Sequence, residues 1–96
     1  MEVLVAYDVK TELPAGQRRL RRVATVCLGY GQRVQKSVFE CRVTEAQLEE
    51  MEDRLVREID QGEDRLRIYR LAGPRERFVK VYGVPPPNDF REPLIV

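Results

Sequence analysis

Hydrophobic positions change period several times along the chain, and each change marks an element. MEVLVAYDV opens with β-branched and aromatic residues and carries no helix start signal, which predicts a buried strand of about eight residues with Asp8 at its exit. After the turn-like TELPAG, the apolar residues Leu20, Val23, Ala24, Cys27 and Leu28 fall at i, i+3, i+4, i+7 and i+8. That is the spacing of one helix face, and Gly29 stops the helix. RVQKSVFECRV is strand-like, yet it holds no Gly, Pro or Asn turn, so its composition fits one long strand or two short ones. Thr44 followed by Gln47 has the form of a capping box, and Leu48, Met51, Leu55 and Ile59 run as an apolar stripe to Gly62. DRLRIYRL alternates, with Leu66 and Ile68 on one side and Arg65, Arg67 and Tyr69 on the other, as a half-buried strand does. A second alternating run, RFVKVYGV, follows the Gly73-Pro74 break and predicts an extra strand. Pro85, Pro86 and Pro87 then end regular structure. The expected organisation is one domain over residues 1–84 and a flexible Pro-rich tail over 85–96.

If the middle segment bends into a pair, the order is βαββαβ, an α+β ferredoxin-like sandwich with two helices on one face of an antiparallel sheet and an extra C-terminal strand. The other sheet face then needs a cover. A second copy of the chain is the simplest one, since small domains with an exposed apolar face commonly form two-fold dimers.

Composition narrows the function classes. The 96 residues allow a single compact core and no separate regulatory module. No apolar run approaches the roughly 20 residues of a membrane span, and MEVLVAYDVK places an acid where a signal peptide places basic residues, so a cytoplasmic protein without a membrane partner is expected. The chain has no histidine, which excludes imidazole catalysis and imidazole metal ligation. Cys27 and Cys41 form no CxxC pair, and Cys27 on the apolar helix face reads as a buried small hydrophobe.

The formal charge of +1 hides a strong segregation. Residues 10–42 carry eight Lys or Arg against Glu12 and Glu40, residues 44–64 carry nine acids against Arg54 and Arg57, and residues 65–91 are basic again. Such blocks suit one acidic and one basic face, or simply solvated helix and strand surfaces.

Tyr7-Asp8 closing the first strand, the block GYGQRVQKSVFECRVTEAQL from Gly29 to Leu48, and RIYRL near residue 70 occur in order in a short chain. Together they resemble the CRISPR-associated endoribonuclease 2 family over roughly residues 1–83, by the order and spacing of the elements. The resemblance implies a ferredoxin-like homodimer, magnesium-dependent cleavage of phosphodiester bonds in some members, and partnership with the CRISPR-associated integrase that inserts new spacers. It also implies that RVQKSVFECRV bends into two strands and that RFVKVYGV pairs with the opposite protomer.

Asp8 is the candidate catalytic and metal-binding residue. Mg²⁺, or another divalent ion such as Mn²⁺, takes one or two carboxylates plus waters and substrate phosphate, so two Asp8 side chains meeting across a two-fold axis make a sensible site. A strand-terminal Asp also commonly satisfies turn amides. Arg18, Arg19, Arg22, Arg33, Lys36 and Ser37 are the candidate nucleic-acid contacts, because guanidinium forks and hydroxyls bind phosphate oxygens. Each of these cations equally fits a solvated or ion-paired surface residue. Phe39 reads as core, and Tyr7 as packing beside the site.

Three functions follow. The first is a metal-dependent endonuclease of CRISPR adaptation, cutting single-stranded RNA and/or duplex DNA through paired Asp8. The second is a non-catalytic dimeric scaffold that bridges the integrase and clamps duplex DNA. The third is a ferredoxin-like small-molecule or regulatory domain, since that fold hosts many functions.

Overall fold

A computed structural model describes residues 1–84. Along the chain run β1 (Glu2–Asp8), α1 (Pro14–Leu28), β2 (Gly31–Gln35), β3 (Val38–Arg42), α2 (Glu45–Glu58), β4 (Arg65–Arg70) and the single turn α3 (Arg75–Phe78). The strands form one antiparallel sheet in the order β2-β3-β1-β4, which with α1 and α2 is the expected ferredoxin-like α+β arrangement. No described helix is long and apolar enough to cross a membrane.

Register divides the sheet into two faces. Val3 lies opposite Cys41, Val5 lies between Phe39 and Ile68, and Tyr7 lies opposite Leu66. Directly opposed residues share a face, and this face packs with Val23, Val26 and Cys27 of α1 and Leu48, Met51 and Leu55 of α2 to form the core. The alternate residues Leu4, Ala6 and Asp8, with Val38, Glu40, Arg65, Arg67 and Tyr69, occupy the other face.

Local chemistry explains most boundaries. Pro14 starts α1 at a position where its missing N–H costs nothing. At α2 the Thr44 hydroxyl accepts from the Gln47 amide at 3.1 Å while the Thr44 amide donates to Gln47 Oε1 at 2.9 Å, completing the capping box. The apolar stripe of α1 is rotated relative to the expected one. Val26 is buried and Leu28 is exposed, because the helix ends at Leu28 and leaves it beyond the packed face.

The middle segment is two strands joined at Lys36-Ser37, with a register shift between Arg33 and Gln35. Its turn lacks the usual turn residues because a distant strand supports it: the Tyr7 amide donates to the Ser37 carbonyl at 3.1 Å. The expected extra strand, which the resemblance pairs with an opposite protomer, is not formed within the single chain. Arg75–Phe78 makes one helical turn, residues 79–84 join no strand, and Val81, Tyr82 and Val84 are exposed. Alternation shapes a strand's faces, but a strand also needs an edge to pair with, and this segment finds none within the described chain. The expected tail, 85–96, lies outside the described residues.

One carboxylate fastens three segments. Asp64 has a fully buried side chain. Its Oδ1 accepts from the Lys10 amide and Arg19 Nη2, each at 3.1 Å, and its Oδ2 accepts from Arg19 Nε at 2.8 Å and the Asp60 amide at 2.9 Å. These donors join the exit of β1, the helix α1 and the loop before β4. The Arg19 fork, the first cause, and the two amides hold the Asp64 carboxyl down to about 2 from its ordinary 3.8. Gly16 in α1 makes the companion contact by shape, since a Cβ there would stand 1.8 Å from the Lys10 carbonyl oxygen.

Removing the buried carboxylate leaves the Arg19 fork and two amides without their acceptor, so Asp64→Ala is expected to cost about 1–3 kcal/mol, read from urea unfolding at pH 7. The folded carboxyl titrates lower than the unfolded one, so its stabilisation is complete above about pH 4 and disappears as pH falls toward 2. The stability gap between wild type and Asp64→Asn should therefore narrow over that interval, and a gap independent of pH would contradict the assignment. Gly16→Ala should destabilise by about 1–3 kcal/mol in the same assay through overpacking against Lys10.

Candidate metal and nucleic-acid site

Asp8 is the last residue of β1 and shares the face of Leu4 and Ala6, so its exposed carboxylate stands at the end of the face that α1 and α2 leave uncovered. Arg65 of β4 lies opposite it in register. The backbone on both sides is fixed. On one side Tyr7 buries its ring beside Phe39, with centroids 6.2 Å apart, and its hydroxyl donates to the Lys36 carbonyl at 3.4 Å. On the other side the Lys10 amide is held by Asp64. An open cavity of about 440 Å³ adjoins Asp8 and is lined also by Lys10, Thr11, Glu12, Glu63 and Arg65. Lys10 Nζ stands 3.5 Å from Glu63 there, a partly exposed pair of small energetic weight.

The candidate cations separate into three groups. Arg18 and Arg22 are exposed on α1, so their guanidinium groups face solvent. Arg19 does not: burial of Asp64 draws it inward, and the fork expected to meet phosphate is engaged by that carboxylate. Arg33 is half-buried, with its guanidinium 5.2 Å from the Phe39 ring centroid and beside the Tyr7 hydroxyl, and its Nε is buried with no hydrogen-bond partner. Burial raises the Tyr7 phenol above its ordinary value, with Cys27 adding to the rise and Arg33 opposing it. Lys36 is exposed and Ser37 half-buried in the β2–β3 turn, at the sheet end where Asp8 lies. Arg33, Lys36 and Ser37 thus lie around Tyr7 at the sheet end next to Asp8, with Arg33 on the core face and the Asp8 carboxylate on the other, whereas Arg18 and Arg22 belong to the helix surface.

Whether these side chains suit a divalent ion follows from the donor set. Among the described residues no three acidic or cysteine side chains gather into a metal cluster. The thiols offer no ligand. Burial, the largest cause, pushes Cys27 up to about 12 and Cys41 up to about 11. One chain therefore contributes the Asp8 carboxylate, with Glu12 and Glu63 along the same open cavity but not gathered with it into a cluster. That fits Mg²⁺ or Mn²⁺ when a second chain adds its own Asp8, because such ions keep waters and phosphate oxygens as their remaining ligands.

Sequence reasoning passed over Asp64, Lys10 and Arg65. Asp64 counted among nine acids of a solvated block, although it is buried. Its only available signal was position, directly before an alternating strand and next to a Gly turn.

Comparison with known proteins supplies the remaining observation. The family model described as CRISPR associated protein Cas2 matches residues 1–77. The chain is 53% identical over 96 residues to the CRISPR-associated endoribonuclease Cas2 1 of Moorella thermoacetica, with all of both chains covered. It is 47% identical over 95 residues to the CRISPR-associated endonuclease Cas2 of Halalkalibacterium halodurans, covering 99% of each. Its fold superposes on the crystal structure of Streptococcus pyogenes Cas2 at pH 6.5 with a TM-score of 0.77 and 52% identity, over 86% of this chain and 100% of that one.

Proposed function

The chain belongs to the CRISPR-associated protein Cas2 family, and from that membership we propose that it is a metal-dependent endonuclease of CRISPR adaptation, built on a homodimer that pairs two Asp8 carboxylates. The observation that carries this reading is the place of Asp8: an exposed carboxylate on a fixed backbone, at the end of the sheet face that neither long helix covers. That face has Leu4, Ala6 and Val38 at its centre, half-buried already by their neighbours, and a second copy is a fitting cover for it. Relatives of this chain are named as endoribonuclease and as endonuclease, which supports phosphodiester cleavage as the reaction class.

In this reading each residue has a task. The two Asp8 carboxylates hold the divalent ion, which when bound supplies charge stabilisation at the phosphate and a water of lowered pKa. Lys10 and Arg65, beside the same cavity, attract and orient the phosphodiester. Lys36, in the β2–β3 turn, extends the positive surface at that sheet end. No histidine is required, because Asp8 acts as ligand and not as general base. Single-stranded RNA and duplex DNA are the substrates to be distinguished, and the CRISPR-associated integrase is the expected protein partner.

A second reading, a dimer that bridges the integrase and grips DNA without cutting it, is favoured by Arg18 and Arg22, which are exposed on α1.

The deciding experiment incubates labelled single-stranded RNA and labelled duplex DNA with the wild type or Asp8→Ala, each confirmed dimeric, in magnesium or EDTA. Cleavage by the wild type in magnesium alone, reduced at least about a hundredfold in Asp8→Ala, is expected. Equal cutting by the two proteins would end the enzymatic reading. For the scaffold, Arg18→Ala with Arg22→Ala should flatten the dependence of log affinity on log salt by about 2 for each protomer in contact while Asp8→Ala leaves duplex binding intact. An unchanged slope would remove the helix from the DNA interface.

A further inference from the structure

A magnesium site is exacting about geometry, whereas a side chain at the end of a strand, next to a loop, is ordinarily free to wander. We propose that Asp64 is the positioning residue for Asp8, setting the height and direction of its carboxylate by clamping the backbone on two sides; this rests on the reading of Asp8 as the metal ligand.

The clamp is explicit in the hydrogen bonds. Asp64 immediately precedes Arg65, the residue opposite Asp8 on β4. It also accepts from the amide of Lys10, two residues beyond Asp8, at 3.1 Å. A single buried carboxylate thus fixes both the cross-strand neighbour of Asp8 and the chain leaving it. Rotation of that carboxylate is prevented by the Arg19 fork, with Nε at 2.8 Å from Oδ2 and Nη2 at 3.1 Å from Oδ1, and by the Asp60 amide at 2.9 Å. Two donors on each oxygen leave no lone pair aimed at solvent, and the side chain is fully buried. Asp64 is therefore excluded as a ligand itself and acts only through the backbone it holds.

The opposite flank of Asp8 has its own anchor, the Tyr7 amide on the Ser37 carbonyl at 3.1 Å. With Asp64 in place the β1 exit is held from both sides. Without it Asp8 keeps its pairing with Arg65, and the loop from Val9 to Leu13 keeps the burial of Val9, its packing against Gly16, the Lys10–Glu63 pair and the bonds of α1 to the Thr11 and Leu13 carbonyls, but the Lys10 amide loses its acceptor. Outer groups that orient metal ligands commonly govern affinity by ten- to a hundredfold, which sets the scale expected of Asp64.

The test compares wild type, Asp8→Ala, Asp64→Asn and Arg19→Lys as dimers of the full chain. Arg19→Lys keeps the charge but loses the fork, and it carries the test should Asp64→Asn fail to fold. Three readouts are taken: hydrogen exchange at the Lys10 amide, Mn²⁺ binding from the electron paramagnetic resonance signal of free ion, and cleavage as magnesium is varied. In Asp64→Asn the Lys10 amide should lose protection and Mn²⁺ affinity should fall at least about tenfold, with Arg19→Lys shifted in the same direction. Cleavage should half-saturate at correspondingly higher magnesium, while the rate at saturation stays within about threefold of wild type. A variant that has lost Lys10 protection but binds Mn²⁺ as tightly as wild type would overturn the positioning role alone. Equal Mn²⁺ binding by wild type and Asp8→Ala would instead remove the ligand assignment, and the positioning role with it.

Discussion

A carboxylate with no exposed surface is costly unless its lone pairs are met, and at Asp64 they are met by two main-chain amides and one arginine fork. These donors belong to segments far apart in sequence, so the arrangement exists only when β1, α1 and the loop before β4 are assembled together. Apolar packing between the sheet and two helices is non-directional and tolerates small slides. The Asp64 bonds are directional and do not. They convert a sandwich that would hold together by burial alone into one whose β1 exit has a definite position, and Asp8 lies on that exit.

Arg19 shows how such a constraint reshapes a surface. Helical spacing sets Arg18, Arg19 and Arg22 away from the apolar stripe, and a sequence carries no mark of which of them will be taken by a distant acid. Arg19 is half-buried against Asp64, whereas its neighbours Arg18 and Arg22 are exposed. The basic face offered to a ligand is accordingly smaller than composition suggests. Arg33 is a related case, since its guanidinium lies over the Phe39 ring and its Nε is buried.

Legibility followed the range of the interaction that decides each feature. The capping box of Thr44 and Gln47, the stripe Leu48, Met51, Leu55 and the buried strand β1 rest on contacts within a few residues or on simple period, and all were readable. The Lys36-Ser37 turn was open from composition because it is stabilised by Tyr7, 30 positions away along the chain from Ser37 and not by a turn residue of its own. The family resemblance supplied the two-strand answer. RFVKVYGV stays open for the complementary reason: its alternation is real, but pairing depends on an edge that a single chain does not provide. Asp8 stood out as a site residue through resemblance, while its support, Asp64, was hidden inside an acidic block because burial is a tertiary property.

Exclusion then explains why two copies and one chemistry belong together in the proposed function. The chain has no imidazole, its two thiols are buried and held protonated far above neutral pH, and the phenol of Tyr7 is raised as well. What remains at the β1 exit is the Asp8 carboxylate beside a cavity lined by Glu12, Glu63, Lys10 and Arg65, a set suited to a divalent ion and a phosphate. In the proposed function a metal supplies the chemistry, and the second Asp8 supplies a further carboxylate to hold it. The face that bears Asp8 also bears Leu4, Ala6 and Val38, whose burial favours a second copy. The same contact that removes this apolar surface from water would therefore complete the ligand set, so association and catalysis become a single equilibrium, and a weaker sheet interface lowers the population of the metal site without any change at Asp8.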